Sequence, residues 1–106
     1  MFRVSAIYPG APGARFDRDY YLRGHTKLAT ALLGPHGLRG IRTILGIASL
    51  DGGDPPYHAI SEMIFASRAE FDAAMAAAGD ALFADLPNYT TISPVLQVSQ
   101  LAEDDR

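Results

Sequence analysis

Apolar and polar residues alternate at the start of the chain. Phe2, Val4, Ala6 and Tyr8 fall on one face of a strand, and Arg3, Ser5 and Ile7 on the other. Pro9-Gly10-Ala11-Pro12-Gly13 interrupts the alternation as a loop. The period then changes. Tyr21, His25, Leu28 and Leu32 fall within a sector of roughly 60° at about 100° per residue, which predicts a helix with one inward stripe. That helix runs from about Arg18 to Leu33. Asp17 stands before it as an N-cap, with a carboxylate to accept from first-turn N–H groups. Phe16 and Tyr21 have the spacing of a hydrophobic staple. Gly34-Pro35 ends the helix.

Leu38 to Leu50 reads as a long strand, with Ile44 on one parity and Ile41, Leu45 and Ile47 on the other. Gly40 and Gly46 are read as bends in it. The turn residues Asp51 to Pro56 join it to a third strand, Tyr57 to Phe65. Ser67-Arg68-Ala69-Glu70 has capping-box spacing, and the helix it opens carries Phe71, Met75, Ala78 and Leu82 inward. Pro87 bounds that helix. Thr90 to Leu101 is a last strand, which Pro94 places at an edge or a bulge. The order β-α-β-β-α-β predicts an α+β, ferredoxin-like fold: a four-stranded antiparallel sheet with two helices on one face. Residues 1–101 form this domain, and 102–106 an acidic tail. Three of the four strands are apolar on both faces. Helices cover only one face, so the other needs a cover, most simply the sheet of a second copy in a two-fold homodimer.

Composition alters this picture little. A chain of 106 residues is one small domain. Its net charge is -3 and its basic residues are scattered, so nucleic acid is not an expected partner. No apolar run has the length of a membrane span and the N-terminus does not read as a signal peptide, so the expected location is cytoplasmic. There is no cysteine, hence no disulfide, no thiolate metal site and no cysteine nucleophile. No dense ligand spacing points to a metal, and no phosphate-binding glycine motif points to a cofactor.

The predicted topology gathers candidate chemistry at one end of the domain. The first strand ends there with Tyr8. The first helix starts there, bringing Tyr21 and His25. The third strand starts there with Tyr57 and His58. The second helix ends there, followed by Asp85, Asn88 and Tyr89. Asp85 extends the apolar stripe of its helix and lies at the C-terminal end, where the helix dipole disfavours an anion. A carboxylate so placed calls for a specific partner. Each residue also has a plainer reading. His25 is either a satisfied core histidine or a proton-transfer group. Tyr8, Tyr21 and Tyr89 are either core aromatics with hydroxyls at the rim or ligand contacts. Asp85 either caps its turn through Asn88 or orients His25. His58 and Glu62 share a strand face, where Glu62 is read as an ion-pair partner of Arg3 or Arg42.

Tyr20-Tyr21-Leu22-Arg23-Gly24-His25-Thr26-Lys27-Leu28 resembles the Y-Y-x-x-x-H-x-x-L signature of the EthD family, named after ethyl tert-butyl ether degradation. Asp85-Leu86-Pro87-Asn88-Tyr89 resembles the family's D-x-P-N-Y/F segment. Tyr8-Pro9 and Phe65-Ala66-Ser67 also fit, and the likeness spans Met1 to Gln100. Lys27 departs from it, standing where a proline is common. The resemblance implies a dimeric α+β barrel akin to small antibiotic-type monooxygenases, muconolactone isomerases and polyketide cyclases. It implies a cavity between helices and sheet for a small hydrophobic, aromatic or polyketide-like compound, with no metal or cofactor. His25 would be the general acid/base, Tyr21 an oxyanion donor and Asp85 the orienting carboxylate. Tyr8, His58, Asn88 and Tyr89 would contact the ligand. Oxidoreductase, isomerase, cyclase and lyase chemistry all remain open, as does a non-catalytic binding or accessory role beside an oxygenase.

Overall fold

A computed structural model of the chain describes residues 1–100 and 102. The acidic tail, save Ala102, and Leu101 lie outside the described residues. The elements run β1 (Phe2–Pro9), helix α1, β2 (Gly40–Leu45), β3 (Tyr57–Phe65), α2 (Arg68–Ala84) and β4 (Val95–Gln100). They form one antiparallel sheet in the order β2-β3-β1-β4, the ferredoxin-like arrangement that the element order predicts.

Helix α1 departs from a regular α-helix. It comprises α turns at Arg18–Tyr20, a π turn at Tyr21–His25 and an α segment at Thr26–Leu33. Asp17 caps it, accepting from the Tyr20 N–H at 3.0 Å, and the Phe16 and Tyr21 rings lie 5.1 Å apart as the staple requires. In the π turn the Thr26 N–H donates to the Tyr21 carbonyl, five residues back, and the Thr26 hydroxyl donates to the same oxygen at 2.9 Å. The wider turn resets the helical face. The 3.6-residue period predicts Leu28 and Leu32 on the inward stripe, but the fully buried residues are Ala29 and Leu33. Tyr21 and His25 remain inward.

Two strands are shorter than the hydrophobic pattern predicts. β2 ends at Leu45, and Gly46 after it still donates to the His58 carbonyl and lies so close to β3 that a Cβ would run into the Tyr57 carbonyl oxygen. Ile47 and Leu50 beyond it are exposed. β4 begins only at Val95, after the proline that lacks a ladder N–H. In α2, Ser67 accepts from the Glu70 N–H at 3.2 Å, completing the N-terminal cap, and Leu82 is buried as its stripe predicts.

The interior divides into two parts. One is aliphatic with a single ring: Ala29, Leu33, Phe65, Ala74 and Leu82. The other, at the end where β1 finishes, is largely aromatic: Tyr8, Tyr21, Ala59 and Tyr89. On the sheet face away from the helices, Ile44, Ile60, Ile7 and Val95 pair in one row across all four strands. Ile44 is 66% and Val95 53% exposed. The same face carries the Arg3–Glu62 ion pair at 2.9 Å. Among the described residues no helix is long and apolar enough to cross a membrane.

Candidate functional site

A clamp between two distant segments builds the aromatic end. The Asp17 N–H donates to the Tyr89 carbonyl at 2.8 Å and the Thr91 N–H to the Arg15 carbonyl at 3.1 Å, around a bridge between Phe16 and Thr90. The Thr90 hydroxyl donates to the Arg15 carbonyl at 2.8 Å. The clamp fixes the turn after α2 against the start of α1. It thereby brings Asp85 and Tyr89 to His25.

His25 Nδ1 lies 2.9 Å from Asp85 Oδ2, with both side chains almost fully buried. Oδ1 of Asp85 accepts from the Tyr20 hydroxyl at 2.7 Å and from the Asn88 amide at 2.9 Å. Burial alone would raise the carboxyl's pKa. The hydrogen bonds from Asn88, His25 and Tyr20, with the imidazole's charge, outweigh burial and hold it below its ordinary value. Asp85 is therefore an anion at neutral pH and can only accept. Nδ1 must then carry the proton, which leaves Nε2 as the basic nitrogen.

His25 lines a cavity of about 70 Å³ between the helices and the sheet. That is several times the roughly 10–15 Å³ that one water needs. The walls are mostly apolar, among them Val4, Ala29, Met63, Phe71 and Leu96. The polar groups are few. Tyr21 stacks on the His25 ring at 5.7 Å and 16°. Its hydroxyl bonds Ser61 Oγ at 2.5 Å, and Ser61 Oγ in turn bonds Thr43 Oγ1 at 2.7 Å. The Tyr8 hydroxyl bonds that of Tyr89 at 2.7 Å. Burial raises the pKa of Tyr8, Tyr21 and Tyr89, so all three stay protonated.

The sequence-predicted residues thus take different places. His25, Tyr21 and Tyr8 line the cavity. Asp85 stands behind the imidazole and Asn88 holds Asp85. Tyr89 packs on His25 with ring centroids 4.6 Å apart and bonds Tyr8, but is not part of the wall. His58 is not in the wall either; its ring stacks on Phe16 at 5.4 Å. Tyr20, Ser61 and Thr43 are absent from the sequence-based candidates. Ser61 carries a signal: it is a polar residue on the helix-facing parity of β3. Among the described residues, no three His, Cys, Asp or Glu side chains come together as metal ligands.

The EthD domain model matches residues 13–93, which include both segments of the clamp and the whole dyad. The chain belongs to the EthD family. An EthD-like protein of known structure from Ralstonia eutropha is 35% identical, with 98% of this chain and 94% of that chain covered and a TM-score of 0.89. An EthD family protein from Bacillus halodurans is 19% identical over 95% of this chain and 98% of its own, with a TM-score of 0.65. A dimeric ferredoxin-like protein from an uncultured marine organism shares the fold at 12% identity, covering 100% and 99% of the two chains with a TM-score of 0.57. No curated protein matches the chain.

Proposed function

We propose that this EthD chain binds a small hydrophobic molecule between its helices and sheet, and that His25 Nε2 moves a proton on that molecule. The observation that carries the reading is the dyad. A buried carboxylate fixes the tautomer of a histidine that lines a mostly apolar cavity. A histidine kept only for packing has no need of a carboxylate held by two further donors. Asp85 positions the ring and stabilises the imidazolium when it forms. Tyr21, protonated and beside the ring, donates to the oxygen on which negative charge develops. Enolisation, cyclisation, dehydration and decarboxylation all use such a set.

The assembly that goes with this reading is a homodimer through the open sheet face. The apolar row Ile44, Ile60, Ile7 and Val95 supports it, because a sheet face exposed to water is expected to be polar.

The test is to identify small molecules retained on purification by mass spectrometry and to follow their turnover by the wild type and by His25→Gln. Loss of about 10²–10⁴-fold in kcat, with fold and ligand affinity kept, is the expected result. Unchanged turnover in His25→Gln overturns the proton-transfer role. A wild type that binds the molecule and leaves it chemically unaltered favours a carrier or accessory protein instead.

A further inference from the structure

Part of the cavity wall faces water on its other side. Leu96 and Phe83 line the cavity, yet they are 49% and 44% exposed. The wall there is one side chain thick, at the start of the edge strand β4. At the opposite edge of the sheet, the hairpin between β2 and β3 carries Ile47, which is 86% exposed, and Leu50, which is wholly exposed. A groove of about 160 Å³ lies at the base of this hairpin, with Ile44, Gly46, Pro55 and Tyr57 among its lining. Apolar surface gathered at both edges marks a place where something docks.

The open sheet face decides how a second copy would bring these edges together. Its rows run Ile44–Ile60–Ile7–Val95, then Arg42–Glu62–Ser5–Gln97, then Gly40–Ile64–Arg3–Ser99. Aligned sheets related by a two-fold have the axis either across the strands or along them. An axis across the strands, with the sheets in full overlap, sets Glu62 on Glu62, Arg42 on Arg42 and the apolar row on the row that holds Arg3. Like charges then meet in a desolvated interface. An axis along the strands sets every row on its own copy in reverse order. Ile44 then meets Val95, Ile60 meets Ile7, Glu62 meets Ser5 and Arg42 meets Gln97. The charges favour this second arrangement, which lays the partner's β2 beside β4. β2 ends and β4 begins at the same end of the sheet, so the partner's hairpin arrives at Leu96. Gly46 to Leu50 span up to about 14 Å when extended, more than the roughly 10 Å between packed sheets.

On the footing of the homodimer reading above, we propose that the hairpin of a second copy of this chain, through Ile47 and Leu50, packs over Leu96 and Phe83 and forms the outer wall of the cavity. The start of β4 sits in turn against the groove at the base of that hairpin. The two-fold makes the exchange reciprocal: each copy closes the cavity of the other. The His25–Asp85 dyad belongs to one chain, whereas the enclosure of its ligand belongs to two.

Mixed dimers test this by NMR. Isotope-labelled wild type is combined with unlabelled Leu50→Cys carrying a nitroxide on that thiol, the chain having no cysteine of its own. Only contacts between copies then broaden the observed amide signals. The expected result is broadening centred on Leu96 and Phe83. Broadening centred on Arg39 and Gly40 marks an axis across the strands and overturns the inference, as does broadening at any other site away from β4. A chain that sediments as a monomer and shows no broadening overturns instead the homodimer reading on which the inference rests. A second readout is the shielding of the Leu96 methyl signals from a soluble nitroxide. Wild type and Ile47→Ser/Leu50→Ser are compared at concentrations where both sediment as dimers. The methyls should broaden several-fold more in the variant, and equal broadening in the two overturns the hairpin as a cover.

Discussion

Asp85 accepts from three side chains, and only one of them is the histidine. Tyr20 and Asn88 saturate Oδ1, so Oδ2 is left to His25. Each donor favours the ionised carboxyl. Tyr20→Phe should therefore raise the pKa of Asp85, which a pH titration of its carboxyl carbon by NMR would show. The same bonds set a pH dependence of stability. The folded-state pKa of Asp85 lies below its ordinary 3.8. Its stabilising contribution is complete above that value and is lost as pH falls through the folded pKa. The stability gap between the wild type and Asp85→Asn should thus be wide at neutral pH and narrow below about pH 4 in urea titrations. Tyr8, Tyr21 and Tyr89 act at the other end of the scale. Their pKa values are raised above the ordinary 10.0. Unfolded chains ionise first, so stability is full below pH 10 and falls above it. The tyrosinate absorbance of these three should rise together with the loss of far-UV circular dichroism, rather than before it.

At the scale of elements, the π turn decides what α1 presents. Its i→i+5 closure lets residues four apart lie nearly one above the other, hence the stacked rings of Tyr21 and His25. Gly24 lies inside this turn. A Cβ there would come within 2.9 Å of the Tyr20 ring, which lies over the glycine to reach Asp85. Gly24→Ala gains about 1 kcal/mol in helix propensity but must push that ring away. It should therefore reproduce the Asp85 pKa shift of Tyr20→Phe without removing a hydroxyl. The turn also limits what the sequence reveals. Tyr21 and His25 precede the reset and are legible from the 3.6-residue stripe. Ala29 and Leu33 follow it and are not, because the period assumes uniform turns. Leu33→Ala should cost about 2–5 kcal/mol in denaturant titrations, well above Leu28→Ala on the face the simple period favours. Asp85 was legible for a different reason: a carboxylate on an apolar stripe at a helix C-terminus breaks two rules at once. Tyr20 breaks none, since a tyrosine at the surface of a first turn is unexceptional.

For the whole molecule, the topology was legible because punctuation and periodicity agree in every segment. The ends of β2 and β4 were not, because apolar residues continue past Leu45 and before Val95 while the backbone leaves the sheet. The proposed homodimer rests on the same two-faced strands. Sedimentation at micromolar concentration should show a dimer with a total interface on the order of 1,500 Å² or more. Ile44→Asp, in the exposed part of the row, should yield a monomer that keeps its far-UV spectrum.

The clamp joining Arg15 to Thr90 and Thr91 also governs when the site comes into being. It closes a loop of about 75 residues, a contact of high entropic cost that cannot form early. On the ribosome, the Tyr20–His25 segment emerges long before Asp85 and the strand that follows it. The nascent chain therefore carries a solvated histidine with no fixed tautomer and no cavity. On the proposed proton-transfer reading, the site is complete only once β4, which supplies Leu96 to the cavity wall, has left the exit tunnel, so a chain released before that point holds the tyrosine–histidine motif without the site.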